Sequence, residues 1–259
     1  MYTVDLNCDL GESFGNYKCG MDEEIIPYIS SANTACGFHA SDPLVMEQTV
    51  KLAKNYGVHI GAHPGYPDLT GFGRRNMQVS EEELKAMVQY QIGALKAFCD
   101  AFGVPLYHVK PHGAMYNMAE KDDKLAEAIC RGIKAVNPDL ILLGPGSGKM
   151  VKAAKALGLK TAGEVFADRA YMEDGTLVPR SQEGAMITDE EEAVARVLEM
   201  VQKGTVTAIT GKKIEVQADS ICVHGDGQKA LLFVQKIRSE LEKAGVVIVP
   251  MKEVIVGES

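Results

Sequence analysis

Residues Val4–Ser13 read VDLNCDLGES, and the alternation inside them decides the fold. Taken as a strand, the segment puts Val4, Leu6, Cys8 and Leu10 on one face and Asp5, Asn7 and Asp9 on the other. The segments that follow read as buried parallel strands, so the acidic face belongs in an interior or at the mouth of a cleft. Carboxylates are costly there unless other strands supply partners.

Working outward, one joint recurs. A helical run ends at a glycine and a short apolar strand follows, as in NYGVHI at Gly57, AFGVPL at Gly103, ALGLKT at Gly158 and KAGVVI at Gly245. Glycine just past a helix end takes the left-handed conformation that stops the helix. Asn137-Pro138 makes the same transition in AVNPDLILLGP. Ser80 with Glu83 and Thr188 with Glu191 fit capping boxes ahead of amphipathic runs, and further helices are expected over Leu44–Tyr56, Lys121–Val136, Ser147–Leu157 and Gly227–Ala244. Strands are expected near Thr3–Asp9, Ser31–Phe38, Val58–His63, Tyr107–Pro111, Leu140–Leu143, Thr161–Phe166, Ser220–Val223 and Val246–Val249. Two alternating runs within Thr205–Gln217 flank a Thr-Gly-Lys-Lys turn and predict a separate β-hairpin. Strands alternating with helices imply an α/β chain with a parallel sheet. The reading is a (β/α) barrel of seven or eight parallel strands plus a small hairpin, one domain over residues 1–259.

Composition narrows the partners. A net charge of -8 and no Lys/Arg run longer than two argue against a nucleic-acid or anionic-membrane surface. The first residues lack a basic and apolar leader, and no apolar run approaches the roughly 18 residues of a membrane span, so a cytoplasmic location is expected. The 6 cysteines show no CxxC spacing, which favours reduced, buried thiols over a zinc knuckle or redox pair.

All 6 histidines fall in a strand or just past its C-terminal end. By strand phase His59, Gly61 and His63 share a face, as do His108, Lys110 and His112, against Tyr107, Val109 and Pro111. Ligands of parallel α/β proteins bind at those strand ends. Asp9, His39, His63, His112, Glu164 or Asp168, and His224 would therefore converge on one rim, while His59 and His108 read as structural. Lys110, Arg74, Arg75, Arg169 and Arg180 are candidates to neutralise a carboxylate or phosphate, or to hold loops by ion pairs. The turn GPGSGKM, Gly144–Met150, departs from the Walker pattern at Leu143 and Met150. It predicts at most an anion at a helix N-terminus. His59-x-x-x-His63 lacks the helix and glutamate of a zinc-protease pair.

Longer blocks carry a resemblance: DLNCDLGESFG, SANTACGFHASDP, GAHPGYPD with GFGRR, HVKPHGAMYN, EVFADRAY, LVPR and SICVHGD. Together they resemble, over nearly the whole chain, the LamB/YcsF family, the A subunits of ATP-dependent 5-oxoprolinases. One departure is Ser41, where glycine is expected in many relatives. The resemblance implies a barrel like that of sugar deacetylases. It also implies opening of the 5-oxoproline lactam to glutamate, with ATP handled together with two further subunits, B and C. On this reading Asp9 is a general base oriented by Asn7 and Glu12, His112 or His224 donates a proton, and Lys110 stabilises charge on oxygen. Asn7, His39, His63, Arg169 and Asp226 bind substrate, Arg169 taking its carboxylate. A rival is a metal-dependent amidohydrolase with Asp9, His39 and His63 as ligands of a divalent metal. A third is a subunit that only binds substrate or assembles the complex.

Overall fold

A computed structural model describes residues 2–223 and 228–256, so the expected site residues His224 and Asp226 lie outside the described residues. In chain order the elements are β1 (Tyr2–Leu10), α1 (Asp22–Ile25), β2 (Ser31–Ala35), α2 (Pro43–Tyr56), β3 (His59–His63), α3 (Glu81–Phe102), β4 (Leu106–Val109), α4 (Gly113–Ala119), α5 (Asp123–Val136), β5 (Ile141–Gly144), α6 (Lys149–Ala156), β6 (Lys160–Phe166), α7 (Glu190–Lys203), β7 (Thr205–Thr207), β8 (Lys213–Glu215), β9 (Ser220–Val223), α8 (Gln228–Lys243), β10 (Val246–Ile248) and α9 (Met251–Val256). Strands β1, β2, β3, β4, β5, β6 and β9 pair in parallel, and β9 returns to β1 to close a barrel of 7 strands. The eighth parallel strand, β10, lies outside the closure against Tyr2–Val4. It sits on the β2 side, because Val4 O accepts from Val249 and Leu6 O from Ser30, whereas Asp5 N–H donates across the other edge to Asp219 O. The antiparallel β7–β8 hairpin stands apart from the barrel sheet.

The helix stops follow the glycines. Gly57 and Gly103 close α2 and α3 in the left-handed region, with φ of 68° and 64°. Ser80 and Glu83 form the expected capping box. The box expected at Thr188 and Glu191 is corrected to the next residue: the Asp189 carboxylate caps α7, accepting from Glu192 N–H at 2.8 Å. A carboxylate at the positive end of a helix dipole serves better than a hydroxyl one residue outside it. Strand β2 ends at Ala35 rather than near Phe38, because Gly37 turns at φ +92° and its N–H donates to Ala40 O. Ser41 takes φ +75°, a conformation that favours glycine.

The predicted phase of β1 holds. Val4, Leu6, Cys8 and Leu10 face the helical layer and are all at most 1% exposed. Val4, Leu6 and Leu10 each contribute roughly 1.5–3 kcal/mol by leaving water. The opposite face fills the barrel with polar groups. Asp5 accepts from Ser30 and Ser31 hydroxyls at 2.6 and 2.7 Å, from the Ser220 hydroxyl, and from Met251 N–H at the start of α9. Above it Asn7 donates to Ser220 Oγ at 2.7 Å and accepts from Asn33 at 2.8 Å. Asn33 in turn accepts from His108 Nε2 at 2.8 Å. Met251 also packs on Ile141, Leu143 and Ala162, closing the lower end of the barrel with apolar contacts. A register shift between Ile60 and Gly61 turns Tyr107 out of its predicted phase, so that its ring stacks on His59 at 3.8 Å.

Candidate active site

The C-terminal ends of the strands open into a cavity of about 850 Å³ lined by Asp9, Glu12, His63, Lys110, His112, Glu164 and Arg169 among others. Its floor is an ion cluster. Lys110 Nζ lies 3.1 Å from Asp9 Oδ1 and 2.8 Å from Glu164 Oε1, beside Cys222 Sγ at 3.2 Å. Burial works against the ammonium charge. Asp9, Cys222 and Glu164 outweigh it and hold the Lys110 pKa well above its ordinary value. Burial likewise lifts the Cys222 thiol well above its usual range, which argues against a cysteine nucleophile here. Tyr116 donates to Glu164 Oε2 at 3.1 Å, and burial followed by the Glu164 charge keeps its phenol protonated.

Asp9 is held by Asn33 Nδ2 at 2.9 Å and by Lys110, and His63 Nε2 lies 3.3 Å from its Oδ2. Asn7 reaches Asp9 through Asn33 and through Lys110, which donates to Asn7 Oδ1 at 3.3 Å, and is fully buried beneath the cavity, so the structure makes Asn7 a strut rather than a ligand-facing group. Glu12 turns toward the histidines, its Oε1 3.3 Å from His39 Nε2 and 3.8 Å from His112 Nδ1. His39 is buried, stacked on His112 with ring centroids 3.7 Å apart, and does not line the cavity. His112 Nδ1 lies 2.9 Å from His63 Nε2 and its Nε2 donates to Phe72 O at 2.8 Å, so the proton of the neutral ring is committed to that carbonyl. Burial, then the neighbouring His63, pushes the His112 pKa down to about 3. Burial also puts His39 well below its ordinary value.

Donor atoms of Glu12, His39, His63 and His112 lie within 4.8 Å of one another. The expected metal set of Asp9, His39 and His63 is thus revised, with Glu12 and His112 in the cluster. Arg169 lines the wall and donates to Val178 O at 2.7 Å. Burial and the adjacent Arg180 lower its pKa, so two guanidinium groups share that wall and favour an anion between them. The GPGSGKM turn offers no open phosphate cradle. Glu120 already fills the N-terminus of α6, accepting from Lys149 and Met150 N–H at 2.9 and 3.2 Å. A Cβ at Gly148 would collide with that carboxylate. The residues here therefore do not fit the phosphates of ATP.

Sequence reasoning missed Asn33, Tyr116 and the carbonyl of Phe72 as parts of the site. Asn33 shares the inward parity of β2 and was available to it; Phe72 contributes backbone from a left-handed loop residue at φ +54° and was not.

A family model described as the LamB/YcsF family matches residues 4–256. The chain is 66% identical to the A subunit of 5-oxoprolinase from Clostridium beijerinckii, over 98% of this chain and 100% of that one. It is 54% identical to the protein of the same name from Bacillus subtilis, over 98% of each. The crystal structure of a lactam utilization protein from Thermus thermophilus superposes with a TM-score of 0.91 at 48% identity, covering 95% of this chain and 99% of that one. With motifs, barrel and full-length similarity in agreement, this chain belongs to the LamB/YcsF family.

Proposed function

We propose that the chain is the ring-opening component of an ATP-dependent 5-oxoprolinase, its A subunit, converting 5-oxoproline to glutamate with two partner subunits, B and C. The names of its relatives support the substrate class. The observation that carries the chemistry is the charged Lys110 fixed between Asp9 and Glu164 on the cavity floor. A five-membered lactam is an unactivated amide. Its opening needs a water nucleophile, charge stabilisation at oxygen and a proton for the departing nitrogen.

Because Glu120 fills the phosphate-loop-like turn, phosphorylation of the lactam oxygen by ATP is assigned to the partners. Water then attacks the activated carbon and gives its proton to Asp9, with Lys110 holding the charge on oxygen. The ring C–N bond breaks as nitrogen is protonated, leaving an acyl phosphate that a second water hydrolyses to glutamate and phosphate. His112 Nε2 commits its proton to Phe72 O and Tyr116 commits its own to Glu164, so the proton for nitrogen is assigned to Asp9, which passes on the one it has taken from water. Arg169 and Arg180 together receive the substrate carboxylate, which relieves their mutual repulsion.

The test is reconstitution of the three subunits with glutamate release as the readout. Asp9→Asn and Lys110→Met should each lower the rate by about 10²-fold or more with the fold retained by circular dichroism. Arg169→Gln should act mainly on KM. Wild-type rates in Asp9→Asn, or glutamate formation by B and C without this chain, would overturn the assignment.

A further inference from the structure

Two backbone carbonyls fix the protons on two imidazoles. His63 Nδ1 lies 2.7 Å from Lys110 O, and His112 Nε2 lies 2.8 Å from Phe72 O. A carbonyl only accepts, so both of those nitrogens carry hydrogen, and in the neutral rings His63 Nε2 and His112 Nδ1 are bare lone pairs. They face each other at 2.9 Å. Two lone pairs at that distance repel, so a cation belongs with them. Carboxylate oxygens stand on either side: Glu12 Oε1 is 3.8 Å from His112 Nδ1 and Asp9 Oδ2 is 3.3 Å from His63 Nε2.

His39 stands differently. Its ring is parallel to that of His112, 2° between planes at 3.7 Å, so an ion in the plane of one ring lies off the plane of the other. Its Nε2 meets Glu12 Oε1 at 3.3 Å instead and orients that carboxylate. The close fit depends on missing side chains, since a Cβ at Gly73 would collide with both His39 and His112.

We propose that His63 Nε2, His112 Nδ1 and Glu12 form the core of a site for one divalent transition-metal ion, with His39 as a positioning residue and Asp9 beside it. Two imidazoles and a carboxylate suit Zn²⁺, Mn²⁺ or Fe²⁺. The carbonyls of Lys110 and Phe72 are the outer partners that fix the tautomer of metal-binding histidines. Such an ion would polarise a water or carbonyl oxygen at the cavity wall. Binding of the ion at this site does not depend on which reaction the chain performs.

The test is a titration of chelator-stripped protein with Zn²⁺ and, separately, Mn²⁺ and Co²⁺, by calorimetry. One equivalent of at least one ion should bind, His63→Ala and His112→Ala should abolish it, and His39→Ala should weaken it by about 10- to 100-fold. His59→Ala, at the far end of β3, should bind as wild type. Imidazole ¹⁵N spectra guard against variants that misfold: in wild-type protein the added ion should shift His63 Nε2 and His112 Nδ1 and leave His108 unmoved. Failure of all three ions to bind stoichiometrically, binding that survives both alanine variants, or a His63–His112 proton bridge that no ion displaces would each overturn the proposal.

Discussion

Asp5 pays for its position with a raised pKa. Burial lifts it to about 6, and the hydrogen bonds from Ser220, Ser30, Ser31 and Met251 only partly offset that. The folded chain therefore keeps this proton up to about pH 6, while the unfolded chain releases it near the ordinary 3.8. Folding takes up a proton between those values, so stability falls as pH rises through the window. Asp5→Asn keeps the shape and removes the charge. Its stability should exceed that of wild type by up to about 3 kcal/mol above roughly pH 6, with the advantage gone below roughly pH 4, as read by chemical denaturation. A constant difference across that range would refute the assignment to Asp5. Parity along β1 made the inward face of Asp5, Asn7 and Asp9 legible in the sequence, but parity does not give depth. Asn7 lies two residues below Asp9, roughly 6–7 Å deeper at strand rise, and so became a strut.

Among elements, the helix ends separate what local sequence encodes from what it does not. Glycine stops and the Ser80 box are written within four residues of the features they control, and they were read directly. The cap of α7 was misplaced by one residue because Thr188 and Asp189 both carry a capping oxygen. Asp189→Ala should cost about 1 kcal/mol in chemical denaturation, and Thr188→Ala should fall within about 0.5 kcal/mol of wild type. Equal losses would restore the threonine. The cap of α6 was beyond reach, since Glu120 is 29 residues from the Lys149 N–H it accepts. The meeting of Glu12 with His39 was equally hidden: two loops leave different strands, and their path is set by the packed barrel rather than by either loop.

For the whole molecule, the alternation of strand and helix made the parallel barrel legible, while the count of 7 awaited the pairing of β9 with β1. The plug and the cavity lie at opposite ends, separated by layers of buried polar side chains. Stability and activity should therefore come apart at Met251. Met251→Ala should lower stability by about 2–5 kcal/mol and leave the kcat/KM of the reconstituted complex within about twofold well below the melting temperature. A large loss of turnover in a folded variant would show that the two ends are coupled. The plug also has a kinetic corollary. A cul-de-sac has no back door, so reactant and product share one threshold. Were a subunit of the proposed complex seated over it, the pace would be set by how often that subunit lifts away, however fast the bond is cut.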